Sequence, residues 1–258
     1  MRRALLVIAA LLCFALPSRA TISIVAHTSV VGNGASVTVT TLNINTTGAT
    51  AEFIGVIDYN ADPSTTPPSD SLGNTWTYIA TATAPANAGG ATVRSGIFYC
   101  LNPTTGTAQN FSVTSIYGPV FVIAASGVAT SAALDLHSEA GAGGYTSSTV
   151  QPGGITPSQN GEILITLLDG GTFGTPYTID SSFTNPDSQA YTSGLSFGGS
   201  MGYLIQTTAG VEDPTWSATT QPNVFGLGTN IASFKASGGP PPSGHCGACD
   251  LSMLLHLR

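Results

Sequence analysis

The chain is predicted to be all-β, a sandwich of jelly-roll type built from two diverged repeat halves. Three observations predict it. Apolar residues recur with a period of two rather than 3.6. The 31 glycines and 16 prolines, with Asn and Asp, punctuate the apolar stretches at short intervals. Several features of one half return in the same order in the other.

The first element is a leader. "MRRALLVIAALLCFALPSRA" has two arginines, an apolar run from Ala4 to Leu16, and small residues at Ser18 and Ala20. This is the pattern of a secretory signal cleaved after Ala20, which places the mature chain outside the cell or in the periplasm. The run is too short to span a bilayer, and no later segment is long enough. Leu12 before Cys13 is a poor match to a lipoprotein signal, which wants a small residue there.

Ten strands are then read in order: 35–42, 51–58, 75–83, 96–101, 110–116, 119–126, 161–168, 202–208, 214–220 and 230–237. Each is short and rich in β-branched or aromatic residues, with turn formers at its ends. No later window carries a capped helical pattern. The strands fall into two sets, about 50–128 and 160–238. "TAEFIGVIDYN" is echoed by "NGEILITLLDGG", which aligns Glu52 with Glu162, and an Asp-Ser pair follows in each half at Asp70 and Asp180. Tyr99 and Gly106 match Tyr203 and Gly210, "FSVT" matches "WSAT", and "VFVIAASG" matches "IASFKASG". Phe111 is thereby aligned with Trp216, and Trp216 is expected in the core.

The ordered set "SDSLGNTWT", "FYCLNP", "ASGVATSAALD", "ITPSQNGEILIT", "IDSSF", "GYLIQTTAG", "PTWSA" and "IASFKA" resembles a group of uncharacterised secreted bacterial and phage-encoded β-sandwich proteins. The likeness covers most of 50–236 and implies a fold. It brings no catalytic residue with it.

Composition narrows the partners. After cleavage three basic residues remain, Arg94, Lys235 and Arg258, against thirteen acids, a net charge of −10. Nucleic acid is an unfavourable partner, because phosphate contacts need clustered Lys and Arg. A mature chain of this length can bury a real core without disulfides.

Several residues could carry chemistry, and each also has a structural explanation. In "ALDLHSE", a regular strand puts Asp135, His137 and Glu139 on one face, as metal ligands or as a base with its orienting carboxylate. The structural alternative is a strand leading into a glycine loop, with Asp135 capping a turn. Glu52 and Glu162 could be the paired carboxylates of a glycosidase or lyase, although a repeated position more simply repeats a structural role. Asp58, Asn60 and Asp62 have the alternate spacing of a calcium loop, but Pro63 and Ser69 replace its glycine and glutamate. No cofactor is expected, with calcium left open at this loop.

No two of the histidines, His27, His137, His245 and His256, stand at HExxH spacing. For glycan stacking, Trp76, Tyr145 and Tyr177 are the expected exposed platform. After Ser237 a Pro/Gly linker leads to a short tail, 239–258, in which His245, Cys246 and Cys249 could bind zinc or form a labile disulfide.

The expectation is a secreted, non-enzymatic β-sandwich acting as a binding or structural module for glycan or cell-envelope surfaces. One alternative is a secreted carbohydrate-active hydrolase or lyase using these carboxylates. A second is a virion-associated structural protein.

Overall fold

The structure, a computed structural model, describes residues 20–34, 37–83, 91–114, 116–141, 147–172, 174–180, 182–219 and 225–238. The expected leader before Ala20, Tyr145 and the tail with His245, Cys246 and Cys249 lie outside the described residues. Among the described residues no helix is long and apolar enough to cross a membrane.

The first half contributes β1 (Ser23–Val30), β2 (Val39–Thr40), β3 (Ala51–Tyr59), β4 (Ser69–Asp70), β5 (Thr77–Thr83), β6 (Val93–Leu101), β7 (Phe111–Val113) and β8 (Val120–Ser126). The second contributes β9 (Leu134–Gly141), β10 (Thr149–Val150), β11 (Ile163–Gly171), β12 (Gly174–Ile179), β13 (Thr184–Gln189), β14 (Gly198–Ile205), β15 (Trp216–Thr219) and β16 (Gly228–Phe234).

The first half forms a five-stranded sheet, β1-β8-β3-β6-β5, and a three-stranded one, β2-β7-β4. The second forms β9-β16-β11-β14-β13 and β10-β15-β12. Adding eight to every strand number of the first half reproduces the second. The second set of eight begins at β9, well ahead of the boundary near 160 expected from the sequence.

The layers follow from side-chain alternation on the central strands. On β3, Ala51, Phe53 and Ile57 enter a core shared with Ile163, Ile165 and Leu167 of β11, between the two five-stranded sheets. Ile54 and Val56 point the other way, to a core with Phe111 and Val113 beneath the first small sheet. Leu168 does the same in the second half, meeting Val150, Tyr177 and Trp216. The sheets therefore stack as three, five, five and three strands, and the central strands are buried on both faces. Close approach of the large sheets demands glycine. A Cβ on Gly199 would lie 2.2 Å from Ile57 Cδ1 and 2.7 Å from the Leu168 carbonyl oxygen.

At one long edge of the stack β1 faces β13, where His27 Nδ1 is 2.8 Å from Asp187 Oδ2 and Gln189 donates to Ser29 Oγ at 2.7 Å. At the other edge β5 lies against β9. These two contacts are images of each other under the offset of eight.

Five strands escaped the sequence reading: β1, β4, β10, β12 and β13. Four of them have only two or six residues, and one of these, β13, carries Pro186, which an edge strand tolerates. The expected pairing of Asp70 with Asp180 slips by one residue. Asp70 stands opposite Phe111, whereas Ile179 stands opposite Trp216, so Asp180 is one step further on.

Candidate functional site

Glu52 and Glu162 are both fully buried. Glu52 alternates with Phe53 and so points outward, under the first small sheet. There Gln109 Nε2 donates to its Oε2 at 3.1 Å, and the Thr46 hydroxyl donates to Gln109 Oε1. Burial pushes the Glu52 carboxyl up to about 7, against the Gln109 hydrogen bond and with help from the charge of Asp70. Glu162 alternates with Ile163 and points outward on the opposite side of the molecule, accepting from the Gln159 amide at 3.2 Å. Burial, then the charge of Asp135, raises it to about 7 as well. The two carboxyls thus face opposite outer layers and do not form the pair the sequence suggested.

"ALDLHSE" also differs from expectation. It is a strand, β9, but it is not regular. Leu134 pairs with Phe234 and His137 with Ala232, so the two residues between them, Asp135 and Leu136, oppose Ser233 alone. This bulge reverses the alternation. Asp135 turns to the outer face, where its Oδ2 accepts from the Ser158 amide at 2.7 Å and its Oδ1 meets Lys235 Nζ at 2.8 Å. These bonds hold its carboxyl below the ordinary value despite partial burial. His137 and Glu139 leave the other face, exposed, with Nδ1 3.1 Å from Oε2. The three residues are split two against one.

The calcium arrangement does not converge either. Asp58 is buried, its Oδ1 accepting from the Tyr59 and Tyr117 amides at 2.7 and 3.1 Å, and burial raises its carboxyl. Asn60, at φ 56°, accepts from the Thr92 amide. Asp62 caps a single 3-10 turn, Pro63–Thr65, and accepts from Ser64 N and the Thr81 hydroxyl. The three side chains are bonded to different neighbours. Among the described residues no group of three or more His, Cys, Asp or Glu is placed to hold a metal ion.

The aromatic candidates move. Tyr177 is buried on β12 rather than exposed in a loop. Trp76 is half-buried, its indole N–H donating to Asp70 Oδ2 at 3.2 Å and its ring set edge-on to Phe111. Both rings have structural work. A different aromatic group lies at one end of the interface between the large sheets. Tyr59 stacks on Phe197 with ring centroids 5.5 Å apart and meets Tyr117 edge-on at 5.6 Å. Tyr191 continues the row beside Phe197, with Phe225 buried beneath. Tyr59, Tyr117 and Phe197 are half-buried, and Tyr191 is exposed. Nothing in the sequence flagged this group, because its members come from β3 and three separate connections.

A second group that sequence reasoning missed is the polar chain inside the main core. Asp169 on β11 is fully buried. Its Oδ1 accepts from the Gly228 amide at 3.1 Å, and its Oδ2 lies 3.3 Å from Ser95 Oγ on β6. Ser95 bonds Asn230 Oδ1 at 2.9 Å, and Asn230 Nδ2 donates to the Ala80 carbonyl at 3.2 Å. Burial raises Asp169 to about 8.

Compared with known protein families, curated proteins and solved structures, the chain matches none of them.

Proposed function

We propose that the protein is a secreted, non-enzymatic binding module for neutral glycan on cell-envelope or extracellular surfaces. The observation that carries this reading is the row Tyr59, Tyr117, Tyr191 and Phe197. Aromatic faces pack against the C–H faces of sugars, and phenol hydroxyls keep hydrogen-bonding capacity at the rim. Asn60 and Thr192, the exposed next residues in the chain after two of the rings, supply amide and hydroxyl groups without charge. The strongly acidic chain disfavours acidic polymers by like-charge repulsion, which leaves neutral sugars as the better ligand class. The equal strand order of the halves supports a further part of this reading, descent from one duplicated unit.

A glycan array, run beside an assay of reducing-sugar release, tests it. Tyr117→Ala/Tyr191→Ala is expected to weaken binding by about tenfold or more, roughly 1.4 kcal/mol, with an unchanged far-ultraviolet spectrum. Sugar release by the wild-type chain, or binding indifferent to the double substitution, would overturn the proposal.

A further inference from the structure

The outer face of the second large sheet gathers three groups whose chemistry is not explained by folding alone. Lys235 is the single lysine of the chain. It follows β16 directly, and its Nζ lies 2.8 Å from Asp135 Oδ1 on the neighbouring strand β9. The Asp135 side chain is only 9% exposed, and its other oxygen is held by the Ser158 amide. Both partners are fixed. The Lys235 amide donates to the Ala133 carbonyl at 2.8 Å, and its own carbonyl accepts from Ala129 at 2.9 Å.

On the other side of β16 comes Glu162. Ile163 pairs with Phe234, so Glu162 and Lys235 occupy the next positions along two adjacent strands, on the same face. Glu162 is fully buried, and its Oε2 has no hydrogen-bond partner among the described residues. Its charge is coupled to both Asp135 and Lys235. The first half offers a control. Glu52 is the counterpart of Glu162, but Gln109 occupies one of its oxygens, and Ala124 stands where the second half has Lys235.

We infer that Lys235 and Asp135 condense spontaneously into an intramolecular isopeptide bond, with Glu162 positioning the pair and holding a proton beside it. The ammonium passes a proton to the Asp135 carboxylate, which gives a neutral amine and a neutral acid. The Lys235 nitrogen lone pair attacks Asp135 Cγ, and a C–N bond forms as the C–O bond breaks. The departing hydroxyl takes a proton from the nitrogen and leaves as water. Charge and atoms balance: an ammonium and a carboxylate become one amide and one water, with no oxidant or cofactor. The fixed contact supplies the effective concentration that free amine and carboxylate lack. The bond would close residues 135–235 into one loop. Tension entering after Lys235 and leaving before Asp135 would then bypass that whole loop.

Mass spectrometry of the denatured, purified chain tests this. The wild type is expected to be lighter than its sequence by one water, and a chymotryptic digest should yield a branched peptide joining the segments around Asp135 and Lys235. Lys235→Arg, which keeps a cation on Asp135, should show the full sequence mass. Glu162→Gln should lower the cross-linked fraction and Glu162→Asp should restore part of it, with folding of each checked by circular dichroism. A wild-type chain of full sequence mass, with linear peptides around both residues, would overturn the inference whatever the variants do.

Discussion

Asp169 Oδ2 lies 3.3 Å from Ser95 Oγ, a carboxyl of the second half against a hydroxyl of the first, inside the core that joins them. The serine has one proton and faces two oxygens, that of Asp169 and Asn230 Oδ1. A protonated Asp169 resolves this: it donates to Ser95, Ser95 donates to Asn230, and Asn230 donates to the Ala80 carbonyl. An ionised Asp169 would compete with Asn230 for the same proton.

The pH dependence follows with an unusual sign. The unfolded carboxyl ionises near 3.8, whereas the folded one keeps its proton to about 8. Between these values the native state binds more protons, so stability falls as pH rises through the window and levels off above it. Asp169→Asn mimics the protonated form. It should match the wild type near pH 4 and exceed it near pH 8, by an amount on the order of 1 kcal/mol or more. Urea unfolding at both pH values checks this; equal midpoints at pH 8 would refute it.

Glu52 adds to the same trend over a narrower window, from the ordinary glutamate value of 4.5 to about 7. Glu52→Gln keeps an acceptor for Gln109 and removes the charge. Its gain over the wild type should grow between pH 5 and pH 7 and then stay constant, read as the difference in unfolding midpoint.

Trp216 is fully buried, and its indole N–H donates to Thr166 Oγ1 at 3.0 Å. Trp216→Ala should cost about 3–5 kcal/mol. Trp216→Phe, which keeps most of the ring contact and leaves the Thr166 hydroxyl its bond to the Asn230 carbonyl, should cost less. Chemical denaturation separates the two.

Gly199→Ala should destabilise by about 1–3 kcal/mol, because the new methyl meets Ile57 and a backbone oxygen that cannot retreat. Gly55→Ala meets the mobile end of Leu167 instead, at 2.7 Å from Cδ1, and should cost less than Gly199→Ala. Thermal unfolding of both variants gives the order.

The long central strands were legible because each carries a full apolar run between turn residues, as 51–58 and 161–168 did for β3 and β11. The small strands β4 and β10 have two residues apiece, too few for a period to register. The candidate site was legible in part. Glu52 and Glu162 were singled out, but which way they point depends on which neighbour of each enters the shared core. Asp135, His137 and Glu139 were read as one face because a period of two was assumed, and the bulge at Asp135 and Leu136 is set by the Ser233 side of the pairing. The tyrosines at the aromatic end sit too far apart in the chain for spacing to reveal them.

By itself the sequence determined the fold class, since alternation and turn chemistry are local properties. Only the tertiary structure decided which groups meet. Phe53 against Phe234, Asp169 against Ser95 and Asp135 against Lys235 are joined by sheet pairing and sheet stacking. Those contacts arise from burying apolar faces between segments distant in the chain, and no local pattern encodes which polar groups that burial brings together.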